Sequence, residues 1–416
     1  MTTIRLHKPE GSIKGEVHLP GSKSISNRVL MIKALSGLKF GIENLSDSDD
    51  TSHLQKALHD IKNSSSKIID IGHAGTDMRF LTAFLASREG FYELTGSERM
   101  QQRPIKELVD VLNNLGANIS YKNKEGYPPL LITGKILKGG KASIKGNVSS
   151  QFISALILVA PYFELGLELE IKGEIVSKPY ITMTVEVMKA FGAELVWQEN
   201  TITVSSVPYH YDQKNYAVES DWSAASYFYS LVALSPVGTT LTLQGLFKES
   251  LQADAVCMPV YRDFGVETSV ENKALVISKK GDFVLKEFNY NFEESPDIVQ
   301  TLACTCAGLS IPFHFTGLQT LKVKETDRIT ALKNELQKFD IGLAISNDSM
   351  SLKKQPVDMS PKKALISTYN DHRMAMSFAP LALVAERVEI EDAEVVSKSY
   401  PNFWNDLRKT GIVIEP

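Results

Sequence analysis

Apolar residues recur along this chain in two alternating rhythms. Ile25, Val29, Ile32 and Leu35 fall at helical spacing, and Gly37 is placed to end the run. Phe80, Leu81, Phe84 and Leu85 repeat the pattern, as do Phe152, Ile153 and Leu156. Between such stretches lie alternating runs broken by a turn: Ala117 to Ile132, Ala193 to Val204, Val266 to Ile277 and Ile341 to Leu352. These predict hairpins. A small or capping residue ahead of apolar periodicity marks helix starts near residues 23, 49, 76, 104, 150, 178, 221, 254, 297, 326, 371 and 398.

From residue 76 onward, short and long intervals between starts alternate, and one of each spans roughly 72 to 76 residues, an internal period. Each period predicts two helices and about four strands. Six units fit, with helices starting at 23/49, 76/104, 150/178, 221/254, 297/326 and 371/398. In the first, only Ile68-Ile69-Asp70-Ile71 is available for strand before the next unit, so its hairpin is missing. Ser64-Ser65-Ser66 reads as a loop. Three units each give two similar α/β domains of βαβαββ repeats: residues 23-218, and residues 1-22 plus 219-416. The chain would pass between them near Pro20-Gly21 and Glu219-Ser220, with no Gly/Ser-rich linker at either place.

Composition narrows the function. The formal charge is 45 − 49 = −4 and no basic field covers the chain, so nucleic acid is not indicated. Three cysteines give no disulfide framework, and Cys304 and Cys306 read as core. No apolar run reaches ~18 residues, so no membrane span is expected. The opening Met1-Thr2-Thr3-Ile4-Arg5 lacks a signal-peptide pattern, and a reducing cytoplasmic setting is the expectation. No HExxH, His/Cys cluster, Walker A, GxGxxG or GxSxG occurs, so neither a metal site nor a nucleotide is indicated. His18, His53 and His210 read as surface or core.

The helix starts carry the chemistry. Ser22 or Ser24 can cap the first helix, and Lys23 and Arg28 flank that end. Arg103, Lys324, Arg328, Arg373 and Lys398 stand at other starts. A helix N-terminus disfavours a cation by ~0.3–1 kcal/mol. A charge pair at 4 Å is worth about 4 kcal/mol at an effective dielectric near 20. Seven such cations therefore point to helix N-termini converging on a strongly anionic ligand. Taken one at a time, each of these starts could instead be an ordinary cap or a solvated first turn. Asp297 and Glu325 belong to the same set, and acids beside a bound anion suit proton transfer or hydroxyl binding. Ser149, Ser150 and Ser177 suit hydroxyls and phosphate oxygens.

Together these motifs resemble the 5-enolpyruvylshikimate-3-phosphate synthase family of enolpyruvyl transferases, nearly end to end. The anchors are Leu19-Pro20-Gly21-Ser22-Lys23-Ser24, Ala74-Gly75-Thr76, Arg103-Pro104-Ile105, Ser149-Ser150-Gln151-Phe152, Ser177-Lys178-Pro179-Tyr180, Val323-Lys324-Glu325-Thr326-Asp327-Arg328 and Tyr369-Asn370-Asp371-His372-Arg373-Met374-Ala375-Met376. The resemblance implies two domains closing like jaws, with helix N-termini facing an interdomain cleft. It implies transfer of the enolpyruvyl group of phosphoenolpyruvate to the 5-hydroxyl of shikimate 3-phosphate, on the way to chorismate and aromatic amino acids. It implies small-molecule partners only, a monomer, and no metal or organic cofactor.

Carried over by resemblance, shikimate 3-phosphate contacts fall on Lys23, Ser24, Arg28, Ser149, Ser150, Gln151, Ser177, Asp297, Thr320 and Lys324. Phosphoenolpyruvate contacts fall on Lys23, Gly75, Arg103, Gln151, Arg328, Arg373 and Lys398. Asp297, Glu325 and Lys23 would be catalytic. His73 and Thr320 stand where the family usually has Asn, and Phe80 stands where Pro or Leu is common. Gly75 is retained, so glyphosate is expected to compete with phosphoenolpyruvate. The main rival is the sister transferase acting on UDP-N-acetylglucosamine. It usually has Lys-Asn where this chain has Lys23-Ser24, and a loop cysteine with no counterpart among Cys257, Cys304 and Cys306. A non-catalytic anion-binding homologue is the other alternative, and retention of Asp297 and Glu325 speaks against it.

Overall fold

The computed structural model describes residues 2–63, 67–271, 274–281, 285–353 and 358–416. The triple serine 64–66 lies outside them, as do residues 272–273 within the run Val266 to Ile277. The chain divides into two compact units, Met1–Ser22 with Glu219–Pro416, and Lys23–Val218.

One rule builds nearly every sheet. Ile68–Asp70 runs parallel to Gly90–Thr95, which pairs antiparallel with Leu130–Gly134, and Asn118–Tyr121 takes the outer edge. The same order recurs in Gly140–Lys145, Leu167–Lys172, Thr201–Val204 and Leu195–Gln198. Among the described residues there are five such four-stranded sheets and one of two strands, Asn215–Ala217 parallel to Gly41–Glu43. The short sheet belongs to Lys23–Val218 and holds the strand of its first repeat, where the missing hairpin was expected. In the other unit Lys14–His18 serves as first strand beside Thr240–Gln244, and Ile4–His7 sits between Arg387–Ile390 and Val413–Glu415. The N-terminal segment thus completes two sheets whose remaining strands come from after residue 219.

Helices of each pair differ in kind. Gly75–Ala86, Ser150–Val159, Trp222–Ala233, Val299–Gly308 and His372–Phe378 are buried on nearly all faces. Lys106–Asn114 and Arg328–Gln337 bury one stripe and expose the other. Helices buried all round lose the polar face that amphipathic ones keep. Where the inner helices meet, small hydroxyls replace bulk. Ser226, Thr301 and Ser377 join at 3.1 and 3.2 Å, and Thr305 donates to Ser230 at 2.8 Å. The period is therefore visible in space as contacts between residues 75 and 76 positions apart.

Where the chain leaves the larger unit and returns to it, the two segments lie side by side. Ser22 N donates to Glu219 O at 2.8 Å, and Ser220 Oγ donates to Leu19 O at 2.9 Å. The buried Glu219 carboxyl accepts from Trp222 Nε1, Phe247 N, Ser250 Oγ and Gln252 Nε2. Burial pushes its pKa up, against those hydrogen bonds. Four donors on one carboxylate anchor the return point.

Several helix starts differ from expectation: those near 254 and 297 are the 3-10 segments Ala253–Val256 and Pro296–Ile298, with α-helices following from Cys257 and Val299. Pro104 does not open its helix, which runs Lys106–Asn114 with Ile105 as cap. The last helix begins at Phe403, and Lys398 ends a 3-10 segment, Ala393–Lys398. Pro401 explains the delay, because the residue before a proline is steered away from helical backbone. Lys398 is accordingly not a cation at an α-helix start. Among the described residues no helix is long and apolar enough to cross a membrane. Cys304 and Cys306 are buried in the core.

Candidate active site

In the unit Lys23–Val218 the candidate residues gather at the starts of inner helices. Lys23 opens its helix, and its ammonium meets Asp50 Oδ2 at 3.0 Å. Arg28, one turn further, is almost fully buried. Its Nε donates to Thr184 Oγ1 at 2.7 Å, Nη1 to Ser24 O at 2.7 Å, and Nη2 to Tyr180 O at 3.2 Å. Burial pulls its pKa down to about 10. Arg28 therefore ties the Ser24 backbone to the start of Lys178–Ala190. Ser177 precedes that helix in left-handed backbone, φ 55, with its hydroxyl making no cap.

Gly75 opens the helix Gly75–Ala86, and the Arg103 guanidinium lies against its α-carbon: a β-carbon there would stand 2.9 Å from Arg103 Cζ. No side chain caps this helix, and the Thr76 hydroxyl accepts from Gln151 Nε2 at 2.9 Å. Ser149 does cap its helix, accepting from Gln151 N at 3.4 Å, while Ser150 is buried.

In the other unit the arrangement centres on Arg328, 1% exposed. Its Nε meets Asp371 Oδ2 at 2.7 Å, Nη1 meets Asp297 Oδ1 at 3.1 Å, and Nη2 meets Glu325 Oε2 at 3.0 Å. Burial opposes its charge, but Asp371, Glu325 and Asp297 together outweigh burial and push its pKa up. Asp297 also takes Arg373 Nη2 at 3.0 Å and Lys324 Nζ at 3.5 Å. Arg373 Nη1 donates to Asp297 O, and Asp371 caps the Arg373 backbone N–H. Lys398 Nζ donates to Asn370 O and Oδ1, each at 2.7 Å. Thr320 Oγ1 is buried with no hydrogen-bond partner, in the segment Gln319–Val323.

This geometry corrects the electrostatic argument from sequence. Lys23, Lys324, Arg328 and Arg373 each have a carboxylate within 3.5 Å. For these four of the seven cations a protein carboxylate accounts for the charge at the helix start, whereas Arg28 and Lys398 meet hydroxyl, carbonyl and amide oxygens. What the structure provides is a balanced array: Asp297 and Glu325, the candidate proton carriers, joined through one buried guanidinium.

Sequence reasoning missed Asp50 and Asp371, the counterions, because an acid at a helix start reads as a cap. It also missed Arg79, whose Nη1 donates to Gly75 O at 3.1 Å and Nη2 to Pro104 O at 3.2 Å. Burial, then repulsion from Arg103, depresses the pKa of Arg79. Its two bonds fix the backbone on both sides of the Gly75–Arg103 contact.

The family model for EPSP synthase (3-phosphoshikimate 1-carboxyvinyltransferase) matches residues 7–407. A 3-phosphoshikimate 1-carboxyvinyltransferase of Bacteroides fragilis (strain YCH46) is 48% identical over 405 residues, covering 97% of each chain. The enzyme of the same name from Pasteurella multocida (strain Pm70) is 37% identical over 434 residues, again 97% of each. The solved EPSP synthase of Acinetobacter baumannii superposes with TM-score 0.80 at 23% identity over all of both chains, which speaks to the fold. With the family model spanning almost its whole length and full-length relatives well above 30% identity, this chain belongs to the EPSP synthase (3-phosphoshikimate 1-carboxyvinyltransferase) family.

Proposed function

We propose a division of labour among these residues for the reaction of the family, in which the chain transfers the enolpyruvyl group of phosphoenolpyruvate to the 5-hydroxyl of shikimate 3-phosphate and releases phosphate. The observation that carries it is the Asp297–Arg328–Glu325 array, two carboxylates on one buried guanidinium. Asp297 takes the proton of the 5-hydroxyl as that oxygen attacks C2 of phosphoenolpyruvate. Glu325 delivers a proton to the methylene carbon, giving a tetrahedral adduct. Glu325 then removes a proton from the resulting methyl group, the C2–C3 double bond re-forms, and phosphate leaves with the electrons of its C–O bond.

The cations do the rest. Lys23, Gly75, Arg103 and Gln151, with Arg328, Arg373 and Lys398, are read as holding phosphoenolpyruvate. Ser24, Arg28, Ser149, Ser150, Gln151, Ser177, Thr320 and Lys324, with Lys23 and Asp297, are read as holding shikimate 3-phosphate. Two multiply charged anions repel, and pre-placed donors offset that repulsion while water is kept out. Cations on Asp297 stabilise its ionised form, the form a base needs. We read the protein as a cytoplasmic monomer.

Phosphate release is the test. It should require both substrates together, and UDP-N-acetylglucosamine should not replace shikimate 3-phosphate. Release with the nucleotide sugar would transfer the assignment to the sister activity, and none with either would favour a binding protein.

A further inference from the structure

Behind Lys23 lies a carboxyl group that the proposed mechanism does not use. Asp77, in the first turn of Gly75–Ala86, is fully buried. Its Oδ1 accepts from Asn27 Nδ2 at 2.8 Å, and its Oδ2 has neither solvent nor a hydrogen-bond partner. Asn27 stands one turn after Lys23 on the same helix. Its Oδ1 accepts from Thr51 Oγ1 at 2.8 Å, and Thr51 adjoins Asp50, the residue paired with Lys23. Hydrogen bonds thus run from Asp77 through Asn27 to Thr51, whose chain neighbour Asp50 pairs with Lys23.

We propose that Asp77 is a positioning residue for the anion site at Lys23: neutral, it lets the ammonium turn from Asp50 toward a phosphate or carboxylate of the substrate; ionised, it competes for that ammonium. The inference rests on the reading that Lys23 takes an anionic substrate. A buried carboxyl with an unpartnered oxygen is cheapest when protonated. Burial is the main cause holding the Asp77 pKa well up, and Asp50 adds to it, against Lys23 and the Asn27 bond.

Other neighbours leave the carboxyl alone. Ser150–Val159 and Leu130–Gly134 contain no titratable side chain. On Gly90–Thr95, Glu93 pairs with Lys122 and Tyr92 donates to Glu89 O; on Asp49–Asn63, Asp50 pairs with Lys23 and the His53 ring lies against Gly72; on Lys106–Asn114, Lys106 pairs with Glu125 and with Asp110, and Glu107 pairs with Lys145. Arg28 is turned to Thr184.

Two measurements test this. First, KM for phosphoenolpyruvate is followed from pH 6.5 to 9 in the unmodified protein and in Asp77→Asn. KM of the unmodified protein should climb with pH, by up to about tenfold per unit once Asp77 ionises. Its ratio to the KM of the variant should rise across the range, in proportion to the same proton linkage. A flat profile in the unmodified protein, or parallel profiles in the two, overturns the proposal. Should Asp77→Asn fail to fold, the unmodified profile and Asp77→Ala carry the same decision.

Second, urea unfolding separates this inference from the enzymatic reading, because it needs no substrate. A carboxyl with a raised folded pKa favours folding most below the free value near 4 and loses that advantage as pH rises to the folded value. The unfolding constant of the unmodified protein relative to Asp77→Asn should therefore increase by about tenfold per pH unit in that window. A pH-independent ratio overturns the protonation of Asp77 even if turnover is as proposed. The expected ratio with no phosphate release would instead reject the enzymatic reading alone.

Discussion

Replacing Gly75 by alanine puts a methyl group where the Arg103 guanidinium now rests. The new carbon would lie 2.9 Å from both Cζ and Nη2 of Arg103, and nearer still to Nη1. Ordinary contact is about 3.5–4.0 Å, so the guanidinium must retreat by roughly 1 Å. It can do so, because it is the far end of a flexible side chain. Alanine also suits a helix better than glycine by about 1 kcal/mol, so the fold should not suffer. The cost falls on the ligand. Moving a charge from 4 to 5 Å from an anion loses about 0.8 kcal/mol at an effective dielectric of 20. If a charge-assisted hydrogen bond is also lost, the total reaches about 3 kcal/mol. KM for phosphoenolpyruvate should rise by roughly four- to 150-fold, on the scale of 1.36 kcal/mol per decade. KM for shikimate 3-phosphate should stay within about twofold if the sites are independent. Glyphosate, read as competing for the same place, should lose inhibition in parallel. Steady-state kinetics with each substrate varied, and a thermal melt, read all of this. The decisive control is Gly75→Ala added to Arg103→Ala. If the methyl acts through Arg103, it adds nothing there, and a further loss equal to the single-variant effect would refute the reasoning.

Arg328→Met should strip the counterion from Asp297, Glu325 and Asp371 and cost about 3–5 kcal/mol of stability at pH 7. Urea unfolding should show a smaller loss near pH 4.5, where carboxylates begin to take up protons; a pH-independent loss would contradict the charge argument. Lys23→Met should keep the fold and lower turnover by about a thousandfold, the worth of one charge pair near 4 kcal/mol; near-normal activity would remove Lys23 from the mechanism. Asp254 is buried, and burial, then Asp297, raises its pKa to about 7. Its contribution to stability is present below about pH 4 and lost as pH rises toward 7. Asp254→Asn should therefore gain stability relative to the unmodified protein across that window, and equal stability at pH 4 and pH 7 would count against the assignment.

The repeat was legible because inner helices recur at a fixed distance, and three of them keep a capping side chain, Ser149, Asp221 and Asp371. Ser226, Thr301 and Ser377 occupy matching places, and their contacts follow from that register. The shortened first unit was legible as a deficit of residues. The charge pairing was not. Asp371 both caps the Arg373 backbone and binds Arg328, and a capping acid gives no sign in sequence of a second partner. Asp50 hid in the same way, as one of two acids in the first turn of Asp49–Asn63. The delayed last helix was misplaced because apolar periodicity continues through a 3-10 segment that Pro401 separates from the α-helix.

The side-by-side passage at Ser22 and Glu219 means that the segment between them is, in chain terms, an insertion. Ser22 and Glu219 already meet through their backbones at 2.8 Å, so a peptide bond from the Ser22 carbonyl carbon to the Glu219 nitrogen would splice the flanking segments into one uninterrupted polypeptide. Excision of the middle portion at this junction therefore needs no new linker between the flanking segments.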